Sequence, residues 1–115
     1  MKEKLNKLMP YLEYAASCET AYGLDYEPRI HPLHNHCGCV AFVIQKLFGG
    51  EQMGAKKHIW NRIDGIEYDV TRNDREYTPP HKGVRLPERK TVNPRFQIFH
   101  DRVIELLHKH PEDLS

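Results

Sequence analysis

The 115-residue chain holds three cysteines, Cys18, Cys37 and Cys39. That is too few, and an odd number, for the disulfide framework of a small secreted domain. Cys37 and Cys39 stand too close together to bridge each other in regular structure. Free thiols are expected, and with them a reducing, cytoplasmic setting. Long hydrophobic runs are missing too: nothing approaches the roughly 20 apolar residues of a membrane span. The charged start Met1-Lys2-Glu3-Lys4 leads into no apolar stretch, so no signal peptide is expected. Charge of one sign is also lacking. Seventeen Lys and Arg against sixteen Asp and Glu leave +1, without the basic excess of a nucleic-acid binder. Lys56-Lys57 and residues 85–90, which include Glu88, read as solvated loops. No repeat or low-complexity linker interrupts residues 1–115, so a single domain is expected. Its 39% hydrophobic and 29% charged residues are a globular composition.

Periodicity gives the elements that are present. Over residues 4–17, Leu5, Leu8, Met9, Leu12, Ala15 and Ala16 recur at helical spacing, with Pro10 expected to kink or restart the helix. Residues 22–35 carry Gly23, Pro28 and Pro32 without an apolar period, a loop long enough to suggest a functional purpose. From Val40 to Phe48 nearly every residue is apolar. The β-branched Val40, Val43 and Ile44 would suit a buried strand, but Gln45-Lys46-Leu47 ahead of Gly49-Gly50 favours a helix buried on all sides. Residues 78–90, with Pro79-Pro80 and Pro87, read as loop. A last helix opens with Asn93 as N-cap and Pro94 at its first position, and buries Phe96, Phe99, Val103, Leu106 and Leu107. His100, His108 and His110 fall on its surface.

The sharpest local signal is Asp64-Gly65 between His58-Ile-Trp-Asn-Arg-Ile63 and Ile66-Glu-Tyr-Asp-Val-Thr71, a two-residue hairpin signature. With that turn Ile63 faces Ile66, Trp60 faces Asp69 and His58 faces Thr71. Alternation then puts His58, Trp60, Arg62, Glu67, Asp69 and Thr71 on one face, and Ile59, Asn61, Ile63, Ile66, Tyr68 and Val70 on the core face. Asp69 becomes the diagonal neighbour of His58, about 7–8 Å away between backbones and within side-chain reach. A carboxylate there fixes the imidazole tautomer and favours its protonated form. Trp60 forms a wall, and Arg62 and Glu67 form a modest cross-strand pair.

Cys37 and Cys39 sit at the mouth of the buried helix, where free N–H groups and the helix dipole lower a thiol pKa. A thiolate, an imidazolium and a supporting carboxylate suit acyl transfer. Cys37 or Cys39, together with His58 and Asp69, is therefore the expected catalytic set, needing no cofactor.

The order of a cysteine at a helix start, a histidine on a strand and an aspartate on the next resembles the transglutaminase-like branch of the papain-like fold. The chain as a whole resembles the bacterial YunG-like family. Four stretches carry that likeness: Ala16-Ser-Cys-Glu-Thr-Ala-Tyr22; Cys37 to Gly50 with its Gln45-x-x-Phe48-Gly-Gly; His58-x-Trp-Asn-Arg-x-x-Asp-Gly-x-Glu-x-Asp-x-Thr71; and Thr91-x-x-x-Arg-Phe with Arg102-Val103. The family pattern has Gly-Gln-Cys before the helix, and anchoring on Phe48-Gly49-Gly50 places its cysteine at Cys37. Asn35-His36 stand where the Gly-Gln would be, so the resemblance leaves His36, or a backbone N–H, as the substitute oxyanion donor, with Asn35 and Trp60 as supporting residues. Laying Cys37-Gly-Cys-Val-Ala-Phe42 over the papain-like Cys-Gly-Ser-Cys-Trp-Ala-Phe instead makes Cys39 the alternative nucleophile.

The resemblance implies a papain/transglutaminase-like α+β fold, with a helix carrying the cysteine at its N-terminus packed on a small antiparallel sheet. It implies thiol-dependent acyl transfer or hydrolysis of a peptide or other amide, while the balanced charge and short apolar runs lead to no expectation of nucleic-acid or membrane partners. Two other readings stand beside it. One is a non-catalytic binding domain on the same fold. The other is a zinc site, because His31, His34, His36, Cys37 and Cys39 crowd together, with His34, His36, Cys37 and Cys39 as the ligand set.

Overall fold

The computed structural model describes residues 1–71 and 76–114. Its elements run α1 (Lys2–Ala15), α2 (Cys37–Phe48), β1 (Glu51–Ala55), β2 (His58–Ile63), β3 (Ile66–Tyr68), β4 (Val84–Arg85) and α3 (Pro94–His108), with a final 3-10 turn at Pro111–Leu114. The architecture is α+β: three helices and an antiparallel sheet of order β3-β2-β1-β4. Helix α2 lies between the sheet and α3, and α1 packs on α3. No helix among the described residues is long and apolar enough to cross a membrane.

The apolar stripes place the helices. Leu5, Leu8, Met9, Leu12 and Ala15 form the buried face of α1. Pro10 neither ends nor restarts that helix. It lies on the solvent side with Asn6, whose carbonyl loses its intrahelical partner where water is at hand. Helix α2 buries Cys39 through Ile44 without interruption, and Val43 and Ile44 are wholly enclosed. Each such side chain contributes about 1.5–3 kcal/mol of hydrophobic stabilisation. Asn93 caps α3 by accepting the Arg95 N–H at 2.9 Å, with Pro94 following it, and Phe96, Phe99, Val103 and Leu107 are buried. Leu106 is only half-buried. His100 leaves the surface in part, its ring edge-on to Phe42 at 5.7 Å, and His110 lies beyond the helix end.

Two tight hairpins build the sheet. Asp64 and Gly65 both have positive φ, and so do Lys56 and Lys57, the backbone needed for two-residue turns. The lysine pair is thus a solvated turn that also joins β1 to β2. The β2–β3 register runs Ile63↔Ile66, Arg62↔Glu67 and Asn61↔Tyr68, as the turn dictates. The regular strand stops there. The Asp69 N–H is donated to the Tyr77 carbonyl at 2.7 Å, so the expected ladder from Trp60–Asp69 to His58–Thr71 is not continued as β-strand. Asn61 donates to the Ala41 carbonyl of α2 at 2.9 Å, and Ile63, Tyr68 and Val70 join the core, but Ile66 at the turn is exposed.

Strands β1 and β4 carry no strong strand signal. Glu-Gln-Met-Gly-Ala has poor β-propensity, yet pairing on both sides holds it extended. Strand β4, inside the segment read as loop, is two residues long. The expected Arg62–Glu67 pair does not form. Arg62 turns to Glu51 on β1 at 2.7 Å, and Glu67 accepts the Trp60 indole N–H at 2.7 Å.

The link from α2 into β1 leaves no room at Gly50. Its φ is +81°, and a Cβ would sit 2.3 Å from the Arg62 carbonyl oxygen. Gly65 has the same φ with open space around it. Gly50→Ala is expected to destabilise the protein by more than the about 1–2 kcal/mol of a left-handed alanine, and Gly65→Ala by about that amount. Urea unfolding of the two variants checks the order.

Candidate functional site

The mouth of α2 is held from three directions. Thr20, fully buried in the turn after α1, accepts Arg95 Nη1 at its carbonyl (3.1 Å), while its hydroxyl meets His36 Nε2 at 2.7 Å. His36 Nδ1 donates to the His34 carbonyl at 2.8 Å. Arg102 donates to the Ala15 carbonyl and the Ser17 hydroxyl, closing the end of α1 onto α3. The helix itself starts without a side-chain cap and without an acidic residue in its first turn. Its leading N–H groups are therefore left for the Cys37 sulfur and for any anion in front of it.

Cys37 is half-buried at this position and meets His58. Burial alone would raise its thiol pKa. Hydrogen bonding from His58, the backbone of Ile59 and that of Gly38, with the charge on His58, brings it below its ordinary value. The ring of His58 bonds Asp69 Oδ2 through Nε2 at 2.6 Å, which leaves Nδ1 as the nitrogen open to Cys37. The Asp69 hydrogen bond, then the Cys37 one, push His58 up to about 10 against the opposing pull of burial. Asp69 is 1% exposed. Its other oxygen accepts the Thr71 N–H at 3.1 Å and the Thr71 hydroxyl at 2.6 Å, which satisfies the buried carboxylate and fixes its aim. Trp60 tilts against the His58 ring with centroids 5.8 Å apart. Its own ring is pinned, because Gly83 approaches it so closely that a Cβ there would lie 2.4 Å away. The arrangement is a thiol facing an imidazole whose far nitrogen rests on a fixed carboxylate.

An open cleft of about 740 Å³ lies in front of the sulfur. The loop of residues 22–35 lines one side through Tyr22, Leu33, His34 and Asn35, and the start of α3 lines another through Arg95 and Phe96.

The remaining expected residues are placed as follows. His36 is buried to 1% exposure, with both ring nitrogens engaged and its pKa lowered chiefly by burial. It props the loop and cannot serve as an oxyanion donor. Asn35 borders the cleft, its amide donating to Asp25 at 2.8 Å. Trp60 is a buried wall. The Cys39 sulfur points into the core toward the Thr20 carbonyl at 3.3 Å, and burial pushes its thiol up to about 12, so the alternative nucleophile has neither access nor ionisation. His34, His36, Cys37 and Cys39 do not converge as metal ligands. His34 Nδ1 accepts the Glu27 N–H, His36 is saturated, and Cys39 faces away. No group of three or more such side chains is placed to hold a metal among the described residues.

Sequence reading missed Gly38, Phe96 and Arg95. A Cβ at Gly38 would lie 2.6 Å from the Phe96 ring, so the glycine between the two cysteines is what lets α3 close on the helix mouth. Their signal was the Arg-Phe pair two residues after the Asn93 cap.

Fold and site together define a small α+β protein with a thiol, an imidazole and a carboxylate gathered at one helix N-terminus. The model of the YunG protein family matches residues 4–110, and the chain belongs to that family. No curated protein and no solved structure matches the chain.

In Asp69→Asn the His58 pKa should fall by about 1–3 units, read by NMR titration of the ring. The sign for stability follows. Because the fold raises this pKa, protonated His58 contributes fully below its ordinary 6.5, and the contribution is lost as pH climbs through about 10. Denaturant midpoints across that window should decline in the native protein and less in Asp69→Asn.

Proposed function

We propose that the protein is a thiol-dependent enzyme of papain/transglutaminase-like fold, which takes the acyl group of a peptide or other amide onto Cys37 and passes it to water or to an amine. The observation that carries this reading is the run from the Cys37 thiol through the His58 ring to the buried Asp69 carboxylate, the last link 2.6 Å long, opening on a cleft. A cytoplasmic setting fits it, since attack requires the free thiol.

In this reading the reacting pair is thiolate and imidazolium, His58 having taken the thiol proton as base. Cys37 Sγ forms a bond to the amide carbon, and the carbonyl π electrons move onto oxygen. The first-turn N–H groups of α2 face that oxyanion. As the tetrahedral centre collapses, the C–N bond breaks and the His58 proton goes to the leaving nitrogen. Neutral His58 then takes a proton from water or an incoming amine as it attacks the thioester, and the thiolate is released. Asp69 orients the ring through both half-reactions. A binding domain on the same fold is the second reading, favoured by His36 being turned away from the site where a side-chain oxyanion donor was expected.

Iodoacetamide at neutral pH separates the two. Cys37 should be modified at least about ten-fold faster than exposed Cys18, with Cys39 untouched in the native protein. His58→Ala should remove most of that advantage, and Cys37→Ala should abolish the fast phase with the fold retained. Equal, slow modification of Cys18 and Cys37 would leave the binding domain.

A further inference from the structure

The floor of the cleft beside Cys37 is the ring of Phe96, resting on the backbone of Gly38. Two guanidinium groups stack on that one ring. The Arg89 carbon stands 4.9 Å from its centroid and the Arg95 carbon 5.5 Å, with Arg95 also 5.5 Å from the Tyr22 ring. Both line the cleft, as does Lys57, and no aspartate or glutamate lines it among the described residues.

The other partnered arginines of the chain show how uneven this is. Arg29 is paired with Glu27, Arg62 and Arg85 with Glu51, and Arg102 with Glu19. Arg89 and Arg95 meet no carboxylate among the described residues, and Arg95 spends one N–H on the Thr20 carbonyl. Asp69, behind His58, is buried and committed to His58 and Thr71. At the rim Asp25 holds Asn35 and Glu27 holds Arg29. In a chain of net charge +1, two unneutralised like charges on one aromatic ring in a concave site repel each other. A bound anion relieves that repulsion, and the planar guanidinium forks match carboxylate and phosphate oxygens.

We infer that the cleft takes a substrate carrying a carboxylate or a phosphate close to the scissile amide, gripped by Arg89 and Arg95 over Phe96. The inference rests on Cys37 being the nucleophile and adds the charge of what it attacks.

Site-resolved labelling with iodoacetate and iodoacetamide tests it, because the two alkylate alike and differ in charge. Cys18 in the same molecule is the internal reference. The iodoacetate-to-iodoacetamide rate ratio at Cys37 should exceed that at Cys18 by at least about ten-fold, within the range of electrostatic steering. Arg89→Gln and Arg95→Gln should each bring the ratio down toward the reference. Arg89 is exposed, so its variant stands even where Arg95→Gln loosens the Thr20 contact. Glutarate or inorganic phosphate should protect Cys37 from iodoacetamide, and whichever protects names the group. A ratio equal to that of Cys18, a preference that survives both substitutions, or protection by neither anion overturns the inference while leaving Cys37 as nucleophile. Inertness of Cys37 to both reagents overturns the nucleophile instead.

Discussion

A 2.6 Å hydrogen bond between His58 Nε2 and the buried Asp69 carboxylate is the constraint on which the site depends. It commits Nε2 of the ring to the carboxylate, raises the pKa of the imidazole, and so favours the ionised form of the Cys37 thiol. A carboxylate at 1% exposure is costly unless its oxygens are filled, and here both are, one by His58 and the other by Thr71. The local chain path follows from the same need. The backbone leaves the β ladder at Asp69, where its N–H finds Tyr77, and the side chain is free to reach His58 instead of lying flat across from Trp60.

The rest of the molecule presents a sulfur to that pair. Four separate stretches meet at the N-terminus of α2: the turn at Thr20, the loop ending in His36, the hairpin, and the start of α3. His36 on Thr20, Arg95 on the Thr20 carbonyl, Asn61 on the Ala41 carbonyl and Phe96 on Gly38 are the contacts that join them. The four stretches that carry the family likeness are thus largely the parts that frame one helix mouth. A cap residue at that mouth would have taken the N–H groups; none is there.

The local pieces were readable where a single physical rule decides them. The Asp64-Gly65 turn dictated the hairpin register, the unbroken apolar run marked α2 as enclosed, and Asn93-Pro94 marked the start of α3. The register pointed to Asp69 beside His58, but the contact is completed only where the chain leaves the ladder at Asp69. The rule failed where neighbours override it. Strand β1, with glycine and glutamine in its middle, is extended only because β2 and β4 flank it. Arg62 chose Glu51 over Glu67 because a strand invisible to the hairpin argument lay on its other side. His36 looked like a site residue because it adjoins Cys37, but its ring turns back to Thr20, a partner 16 residues away that no local pattern names. The pairing of Arg89 and Arg95 on Phe96 belongs to the same class, since it depends on how the segment before α3 folds back.

The ultraviolet absorbance of the Cys37 thiolate, taken as the difference between the native protein and Cys37→Ala across a pH titration, tests the coupling of sulfur and imidazole most directly. The account requires thiolate absorbance at neutral pH that disappears in His58→Ala. A sulfur that ionises only in the ordinary thiol range, with or without His58, would contradict it.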